Sequence, residues 1–326
     1  MRFYCAPYYF VAASHIKKSI FFLMPSRAGE AQEGGEESSL VFLGEMASFS
    51  ALCVAGCAFP GLGEDDDDNE ASLRDYVRSG RCDLVVRDLE LGADPNTEDE
   101  LGRTLLWTAC FHGRTSVVEA LLRFGADVRS RDRGGAVPLY AAAQNGECDI
   151  LRLLLDAGAP PMEARRDGST ALHVAAAAGQ LDAAKLLLSE PGVEARQLDN
   201  LGTSALFCAA AAGRPTMVEL LLQHGADPVQ ANAKGQTPLY AACQYGHFQC
   251  SRILVNKANV NLADRDGRSP LFLVAERGTD VDTAKLLRDY GADPAQKTIH
   301  GQTPLDVARR STPVFRLVLQ HLAAAQ

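Results

Sequence analysis

Short runs of apolar residues recur along most of this chain, and polar turns that contain glycine separate them. Seven of the turn glycines lie about 33 residues apart, at Gly102, Gly135, Gly168, Gly202, Gly235, Gly267 and Gly301. A period of this length is typical of solenoids, in which one supersecondary unit is stacked many times and buries its apolar face against its neighbours. The pattern therefore predicts a surface that holds other molecules rather than a deep pocket for chemistry.

The copy from Asn232 to Ala263 shows what one unit contains. Thr237 suits a helix N-cap, and Pro238 suits the first helical position, where its missing N–H costs nothing. Gly246 ends this short helix, because glycine enters the left-handed region without strain. A second helix follows and carries Leu254 inward. Each unit is predicted to be a helix, a turn, a second helix and a hairpin loop, so the domain is all-α.

The same order of signals recurs in the other units. The helix starts read Thr237-Pro238-Leu239-Tyr240, Thr303-Pro304-Leu305-Asp306 and Thr170-Ala171-Leu172-His173, leucine runs mark the second helices, and Gly-Ala-Asp follows at Gly92, Gly125, Gly225 and Gly291. This pattern resembles the ankyrin repeat family over about Asn69 to Leu322. The resemblance implies an ankyrin-repeat solenoid whose stacked loops and first helices form one concave surface for a partner protein.

The array is predicted to contain about eight units, of which the first and last are caps. Their boundaries lie near 69–98, 99–131, 132–164, 165–198, 199–231, 232–263, 264–297 and 298–322, with a tail over 323–326. A terminal unit must turn one face to water, which explains why the first lacks the Thr-Pro-Leu start and the last stops early. The fourth unit carries a one-residue insertion over 189–194 that predicts a looser hairpin.

One column of the first helices departs from the family pattern. The family's histidine, which ties neighbouring repeats together, is present at His173 alone, and the other units carry Trp107, Tyr140, Phe207, Tyr240, Phe272 and Asp306 there. Five of these side chains are aromatic and are expected to stack along the inner helices. The alternative is that some ring edges face a ligand.

The chain has 326 residues, of which 47% are hydrophobic and 22% charged, with a net charge of −9. The acidic balance argues against a nucleic-acid partner, which usually meets a basic face. A local group of arginines spans two hairpin loops and is either solvated or a surface for an acidic partner: Arg129, Arg131, Arg133, Arg165 and Arg166. The nine cysteines are scattered without metal or disulfide spacing, which predicts reduced thiols in the cytoplasm or nucleus.

Residues 1–68 do not belong to the array and are interpreted as a leader. Its first 24 residues resemble a signal peptide only weakly, and Ser26 to Ser39 has the composition of a disordered segment. Leu40 to Gly63 is long enough to span a bilayer, although Glu45 and Pro60 weaken a membrane anchor. The acidic run from Glu64 to Asp68 is interpreted as a solvated linker, with calcium binding as the alternative.

No P-loop, nucleophile elbow or zinc-protease motif is found in the sequence, so we predict no enzyme, no cofactor and no metal site. The leading interpretation is a monomeric protein-interaction scaffold in the cytoplasm or nucleus. One alternative is an adaptor that brings a substrate to a ubiquitin ligase or similar complex, and another is a membrane-tethered ankyrin protein. Fold alone does not decide among them.

The repeat phase also predicts which residues face a partner. They are the two residues before each hairpin glycine, the one after it, and the two before each helix-ending glycine. This rule selects Glu100, Leu101, Arg103, Phe111, His112, Arg133, Gln144, Asn145, Arg166, Asn200, Leu201, Lys234, Gln236, Gln244, Tyr245, Arg265, Arg268, Glu276 and Arg277.

Overall fold

The computed structural model describes residues 72–308 and 312–324, and this part of the chain forms sixteen helices. They are α1 (Leu73–Ser79), α2 (Cys82–Glu90), α3 (Leu105–Phe111), α4 (Thr115–Arg123), α5 (Pro138–Asn145), α6 (Cys148–Asp156), α7 (Ala171–Ala178), α8 (Leu181–Ser189), α9 (Ala205–Ala211), α10 (Pro215–Gln223), α11 (Pro238–Tyr245), α12 (Phe248–Leu254), α13 (Pro270–Arg277), α14 (Val281–Asp289), α15 (Pro304–Val307) and α16 (Pro313–Ala324). Each odd-numbered helix and the even-numbered helix after it form one unit, numbered 1 to 8. The helical class predicted from the repeat is confirmed.

The helices form two layers. First helices contact the first helices of neighbouring units, and second helices contact second helices. Each even-numbered helix from α2 to α14 buries at least one leucine almost fully, at Leu89, Leu121, Leu154, Leu187, Leu221, Leu254 and Leu287. The six from Leu121 onwards recur in phase, so each unit completes the apolar core of the next, and the core runs continuously through the array.

Hydroxyl side chains start the first helices as the sequence predicts. The Thr237 side chain accepts a hydrogen bond from the Tyr240 N–H at 3.2 Å, with Pro238 at the first helical position. Thr104 and Ser204 do the same for their own helices without a proline. The cap therefore fixes the helix start even where alanine or leucine replaces the motif proline.

The two ends of the array differ from its middle. The Ser72 N–H and hydroxyl both donate to the Asp75 carboxylate, which gives the first unit a helix start of its own. At the other end α16 continues through Ala324, so the predicted boundary between the last unit and a tail at 323 is too early. The predicted leader, with its possible signal and membrane segments, lies outside the described residues. Within the described residues no helix is long and apolar enough to cross a membrane.

The insertion in unit 4 changes the loop that follows α8. Glu190 has an extended backbone after Ser189, and Gly192 supplies the left-handed turn, with φ of 85°, one residue later than the equivalent glycines of units 1, 2, 3, 5 and 7. A cavity of about 470 Å³ lies beside this loop and is lined by Leu188, Val193, Glu194, Ala195, Arg196, His224 and Gly225.

Candidate protein-binding surface

Backbone hydrogen bonds join the hairpin loops of neighbouring units. The donor in each bond is the N–H of the residue two positions before the hairpin glycine. The acceptor is the carbonyl of the residue just before the hairpin glycine of the preceding unit, at 2.7–3.2 Å. We call these donor residues the tip row: Arg133, Arg166, Asn200, Ala233, Arg265 and Ile299, with Glu100 at the same position of the first loop. Because the backbone makes the bonds, the loops are held in register whatever side chain the tip carries.

An acidic or amide side chain supports five of the seven hairpin loops from within. The Asp99 carboxylate accepts hydrogen bonds from the Leu101 and Arg103 N–H groups, both at 2.9 Å. Burial by itself would raise the pKa of Asp99, but the bonds from the Arg103 backbone and side chain hold the pKa below its usual value. Asp199 and Asp264 support their loops in the same way. A polar residue three positions before the glycine is the sequence signal for this role.

The position just after the hairpin glycine does not face a partner as predicted. Gln236 is only 7% exposed, and its side-chain oxygen accepts a hydrogen bond from the Asn232 amide, so the prediction for Gln236 is wrong. Arg103 and Arg268 are half-buried and pair with the supporting carboxylates of their own loops, at 2.8 and 2.9 Å. This position points back into the loop because its own N–H bonds to the supporting side chain.

A second set of bonds joins the helix ends, and here side chains make them. The donor is the side chain of the residue just after the helix-ending glycine of one unit. It reaches across the helix-ending glycine of the preceding unit and bonds to the carbonyl two residues before that second glycine. Gln180 donates in this way to the Gln144 carbonyl at 3.2 Å, and Arg114 donates to the Arg78 carbonyl at 3.0 Å. Arg214 and His247 occupy the same position in units 5 and 6. We call these bridging side chains the helix-end row.

Two units carry a residue at the bridging position that does not make this bond, and each uses a substitute. Glu147 offers no donor when ionised, and the Asn145 amide donates to the Phe111 carbonyl instead. Unit 7 has the short Thr279, and Arg277 donates to the Gln244 carbonyl at 2.6 Å. The predicted partner-facing residues Asn145 and Arg277 are exposed, but they also hold adjacent units together.

Phe111 is packed rather than free. Its ring stacks on Trp107 of the same helix, with 5.2 Å between ring centroids and 9° between planes, and it meets His112 edge-on. Burial, followed by the charges of Arg78 and Arg114, lowers the pKa of His112. Phe111 and His112 therefore contribute packing contacts to their own unit.

The other predicted residues fall into two groups. Residues one or two positions before the hairpin glycines are exposed, at Glu100, Leu101, Arg133, Arg166, Asn200, Leu201, Lys234 and Arg265. Residues on the first helices are half-buried, at Gln144, Gln244, Tyr245 and Glu276. Tyr245 lies beside His247, with 6.4 Å between ring centroids. The structure thus brings the predicted residues onto two adjacent bands, loop tips and helix ends.

The predicted aromatic column is buried, but its members do not simply stack on one another. The Tyr240 hydroxyl donates to Asp264 of the next loop at 2.6 Å, and burial, together with this carboxylate, raises the pKa of Tyr240. Tyr140 is covered by the Arg165 guanidinium, 5.1 Å from the ring centroid. These contacts join the Tyr140 and Tyr240 rings to the following hairpin loops, so these two members of the column link neighbouring units through the loops.

His173 performs the linking role that the family resemblance implies. One ring nitrogen lies 2.9 Å from the Thr170 hydroxyl, and the other lies 3.1 Å from the Thr203 carbonyl of the next unit. Burial lowers the pKa of His173, so the ring stays neutral and both nitrogens remain matched to these partners.

Two cysteines of unit 6 are buried. Burial raises the pKa of Cys243 to about 12 and of Cys250 to about 11, which leaves these thiols protonated and inert. Within residues 72–308 and 312–324, no cluster of three or more His, Cys, Asp or Glu is placed to hold a metal ion.

Comparison with known proteins agrees with this architecture. The family model for ankyrin repeats matches three times, over residues 73–164, 160–232 and 229–298, and the chain belongs to the ankyrin repeat family. It is similar to the crystal structure of the ankyrin repeat domain of Bcl-3, a member of the IkappaB protein family, with a TM-score of 0.50 and 28% identity. That match covers 78% of this chain and all of the other.

Similarity to other curated proteins is limited to short stretches. The chain is 36% identical over 78 residues to an ankyrin repeat-containing protein of Schizosaccharomyces pombe, which is 24% of this chain and 36% of that protein. It is 34% identical over 85 residues to human ankyrin repeat and SOCS box protein 9, which is 26% of this chain and 28% of that one. The chain thus spans about a third or less of these relatives. Ankyrin repeats generally mediate protein–protein interaction and are typically non-catalytic, and this much applies to the chain.

Proposed function

We propose that this protein is a non-catalytic scaffold that binds one partner protein along the loop tips and the neighbouring helix ends. The observation that carries the proposal is the backbone bonding of the tips, which fixes the loops while leaving the side chains exposed. Leu101 and Leu201 are 41% and 55% exposed at equivalent positions of units 2 and 5. Exposed apolar side chains on a rigid frame are typical of binding surfaces.

Net charge and cysteine chemistry indicate the class of partner and the cellular compartment. The net charge of −9 favours a protein partner over nucleic acid. The cysteines that the structure describes are thiols rather than disulfides, which suits the cytoplasm or nucleus. We assign the scaffold to those compartments as a monomer.

The second candidate function is a substrate-recruiting adaptor of a ubiquitin ligase or similar complex. The similarity to an ankyrin repeat and SOCS box protein and, at 37% identity over 105 residues, to a putative E3 ubiquitin-protein ligase of Arabidopsis thaliana favours it. Those matches cover 28% and 22% of the relatives, so the rest of each lies outside the comparison. Co-purification of a ligase subunit with the scaffold would distinguish the adaptor.

Photo-crosslinking tests the proposed surface. A photoreactive amino acid replaces Leu201 or Lys234 at the tips, and Glu119 or Glu219 on the exposed side of the second helices as matched controls. We expect the tip positions to capture one and the same protein from a cell extract, and the outer positions not to capture it. Equal capture from both sides, or capture from the outer side alone, would move the binding surface off the tips.

A further inference from the structure

Four adjacent loop tips carry an unusual order of side chains. The tip-row residues of units 3 and 4 are Arg133 and Arg166. The loops on either side present Leu101 and Leu201 one residue before their glycines, next to the tip-row residues Glu100 and Asn200, and we call Leu101, Arg133, Arg166 and Leu201 the arginine strip. We propose that the arginine strip binds an extended acidic segment of the partner protein, with an apolar side chain at each end of the segment. The proposal rests on the scaffold function above and gives part of that surface its partner chemistry.

The two central arginines are exposed and positioned. Within the described residues neither Arg133 nor Arg166 forms an ion pair or a side-chain hydrogen bond, and both are exposed. Their stems nevertheless lie against the preceding loop. The Cγ of Arg133 is 3.5 Å from the point that a Cβ on Gly102 would occupy, and the Cγ of Arg166 is 3.1 Å from the equivalent point at Gly135. A guanidinium on a supported stem loses less conformational freedom when it binds a carboxylate.

Nearby acids accept hydrogen bonds from, or form ion pairs with, groups other than these two arginines. Glu163 pairs with Arg131. Asp132 accepts the Ala136 N–H at 2.7 Å, and Asp167 accepts the Ser169 N–H at 2.9 Å. The positive charge at the tips is therefore available to a partner.

Unit 4 has an arginine at the loop position where most other units have an acid. Three positions before its hairpin glycine stands Arg165, where five other units have Asp99, Asp132, Asp199, Asn232 and Asp264. The Arg165 guanidinium covers the ring of Tyr140 and lies 3.7 Å from Asp167. The exchange of a supporting carboxylate for an arginine makes this the most positive stretch of the loops, in a chain whose net charge is −9.

The two leucines set the length of the segment. Leu101 and Leu201 occupy the same loop position three units apart. Packed helices lie about 8–10 Å apart, so the leucines are separated by about 24–30 Å. An extended chain advances about 3.3 Å per residue, and this distance corresponds to about eight or nine residues. The strip thus fits a short extended peptide with acids in its middle.

Selection from a library of random twelve-residue peptides tests the proposal on the full chain. We expect selected peptides to carry a central block of Asp and Glu with apolar residues on both sides. The Arg133→Glu/Arg166→Glu variant should instead select Lys and Arg in the central block, because the tip charge is reversed. The matched control is Arg252→Glu, which reverses the charge of an exposed arginine on the second helix of unit 6, away from the loop tips, and should keep the wild-type selection.

Titration of the most enriched labelled peptide, read by fluorescence anisotropy, gives the size of the effect. The double variant should weaken binding by about tenfold or more, and Arg252→Glu should leave it within about twofold. Binding should also weaken as NaCl rises from about 0.1 M to about 0.5 M. An unchanged circular dichroism melting curve establishes that the variant is folded.

Five outcomes overturn the proposal. The first is selection of peptides without an acidic block, and the second is binding that the double variant leaves intact. A third is tighter binding of a twelve-nucleotide single-stranded DNA than of the peptide, which would make the strip a phosphate-backbone site. The fourth is a tenfold gain in peptide binding when Asp65 to Asp68 are replaced by serine, which would make the chain's own acidic run the occupant. The fifth is peptide binding at Tyr245 or Lys234, which would refute binding at the arginine strip but not the proposed scaffold function.

Discussion

The tip row and the helix-end row both hold neighbouring units in register, but they do so with different parts of the residue. Tip residues such as Arg166 and Ala233 use the backbone N–H, so their side chains extend freely from the bond. Helix-end residues such as Gln180 and His247 use the side chain itself. Register at the tips is therefore compatible with almost any sequence, whereas register at the helix ends requires a donor of the right length.

This difference teaches where partner specificity can change without loss of stability. The tip positions range from arginine to alanine and isoleucine without a change in the backbone bonds. Asn200 is an intermediate case, because its side-chain amide also donates to the Arg166 carbonyl at 2.9 Å. The helix-end row tolerates change only with a substitute, as Asn145 and Arg277 show.

The largest effect should come from the core beneath both rows. Leu254 is 1% exposed, and Leu254→Ala should lower the free energy of unfolding by about 2–5 kcal/mol through lost burial and a cavity. The exposed Arg252 of the same helix is the matched control, and Arg252→Ala should change stability by less than about 0.5 kcal/mol. Urea unfolding followed by circular dichroism measures both, and coincident midpoints would contradict the layer assignment.

A smaller effect should separate two glycines with the same backbone conformation. Gly213 and Gly225 have φ of 67° and 80°, and alanine at either position should cost about 1–2 kcal/mol of strain. A Cβ on Gly213 would also lie 2.6 Å from His247 Nδ1, whereas one on Gly225 meets nothing within 4 Å. Gly213→Ala should therefore lose about a further 0.5–1.5 kcal/mol with the His247 bond. Equal thermal unfolding midpoints would show that the helix-end row contributes nothing.

Asn145 makes the bond between units that Glu147 does not make, and this allows a rescue experiment. Asn145→Ala should lower stability by about 0.5–1.5 kcal/mol, because the Phe111 carbonyl loses its donor. Adding Glu147→Gln should restore most of the loss, since a glutamine at that position can donate as Gln180 does in the next unit. Chemical denaturation of the single and double variants measures the recovery, and no recovery would refute the bridging role.

The smallest effect on stability should come from the tips. Leu201→Ser removes an exposed side chain whose backbone bond remains, so the unfolding midpoint should correspond to a change within about 0.5 kcal/mol. Capture of the partner by the scaffold should nevertheless fall. A variant that binds as well as the wild type but unfolds earlier would reverse the roles assigned to the two rows.

Much of the fold could be predicted because its signals are local. The cap at Thr237, the proline after it and the left-handed glycine at Gly246 act within one turn of helix, and each is found where the sequence places it. The leucine that each second helix buries follows from the same phase, as Leu254 shows. The candidate surface was predicted less well, since Gln236 is buried, and Asn145 and Arg277 are engaged in bonds between units.

The sequence by itself determined the repeat, the helix boundaries and the band in which the loop tips lie, because period, caps and turns depend on neighbouring residues along the chain. Only the tertiary structure decided which polar side chains are free. The partner of Gln180 is a carbonyl 36 residues earlier, and the partner of Asn145 is one 34 residues earlier. Whether a side chain reaches across the stack depends on its length, its donors and the glycine it crosses, and these are properties of two units packed together.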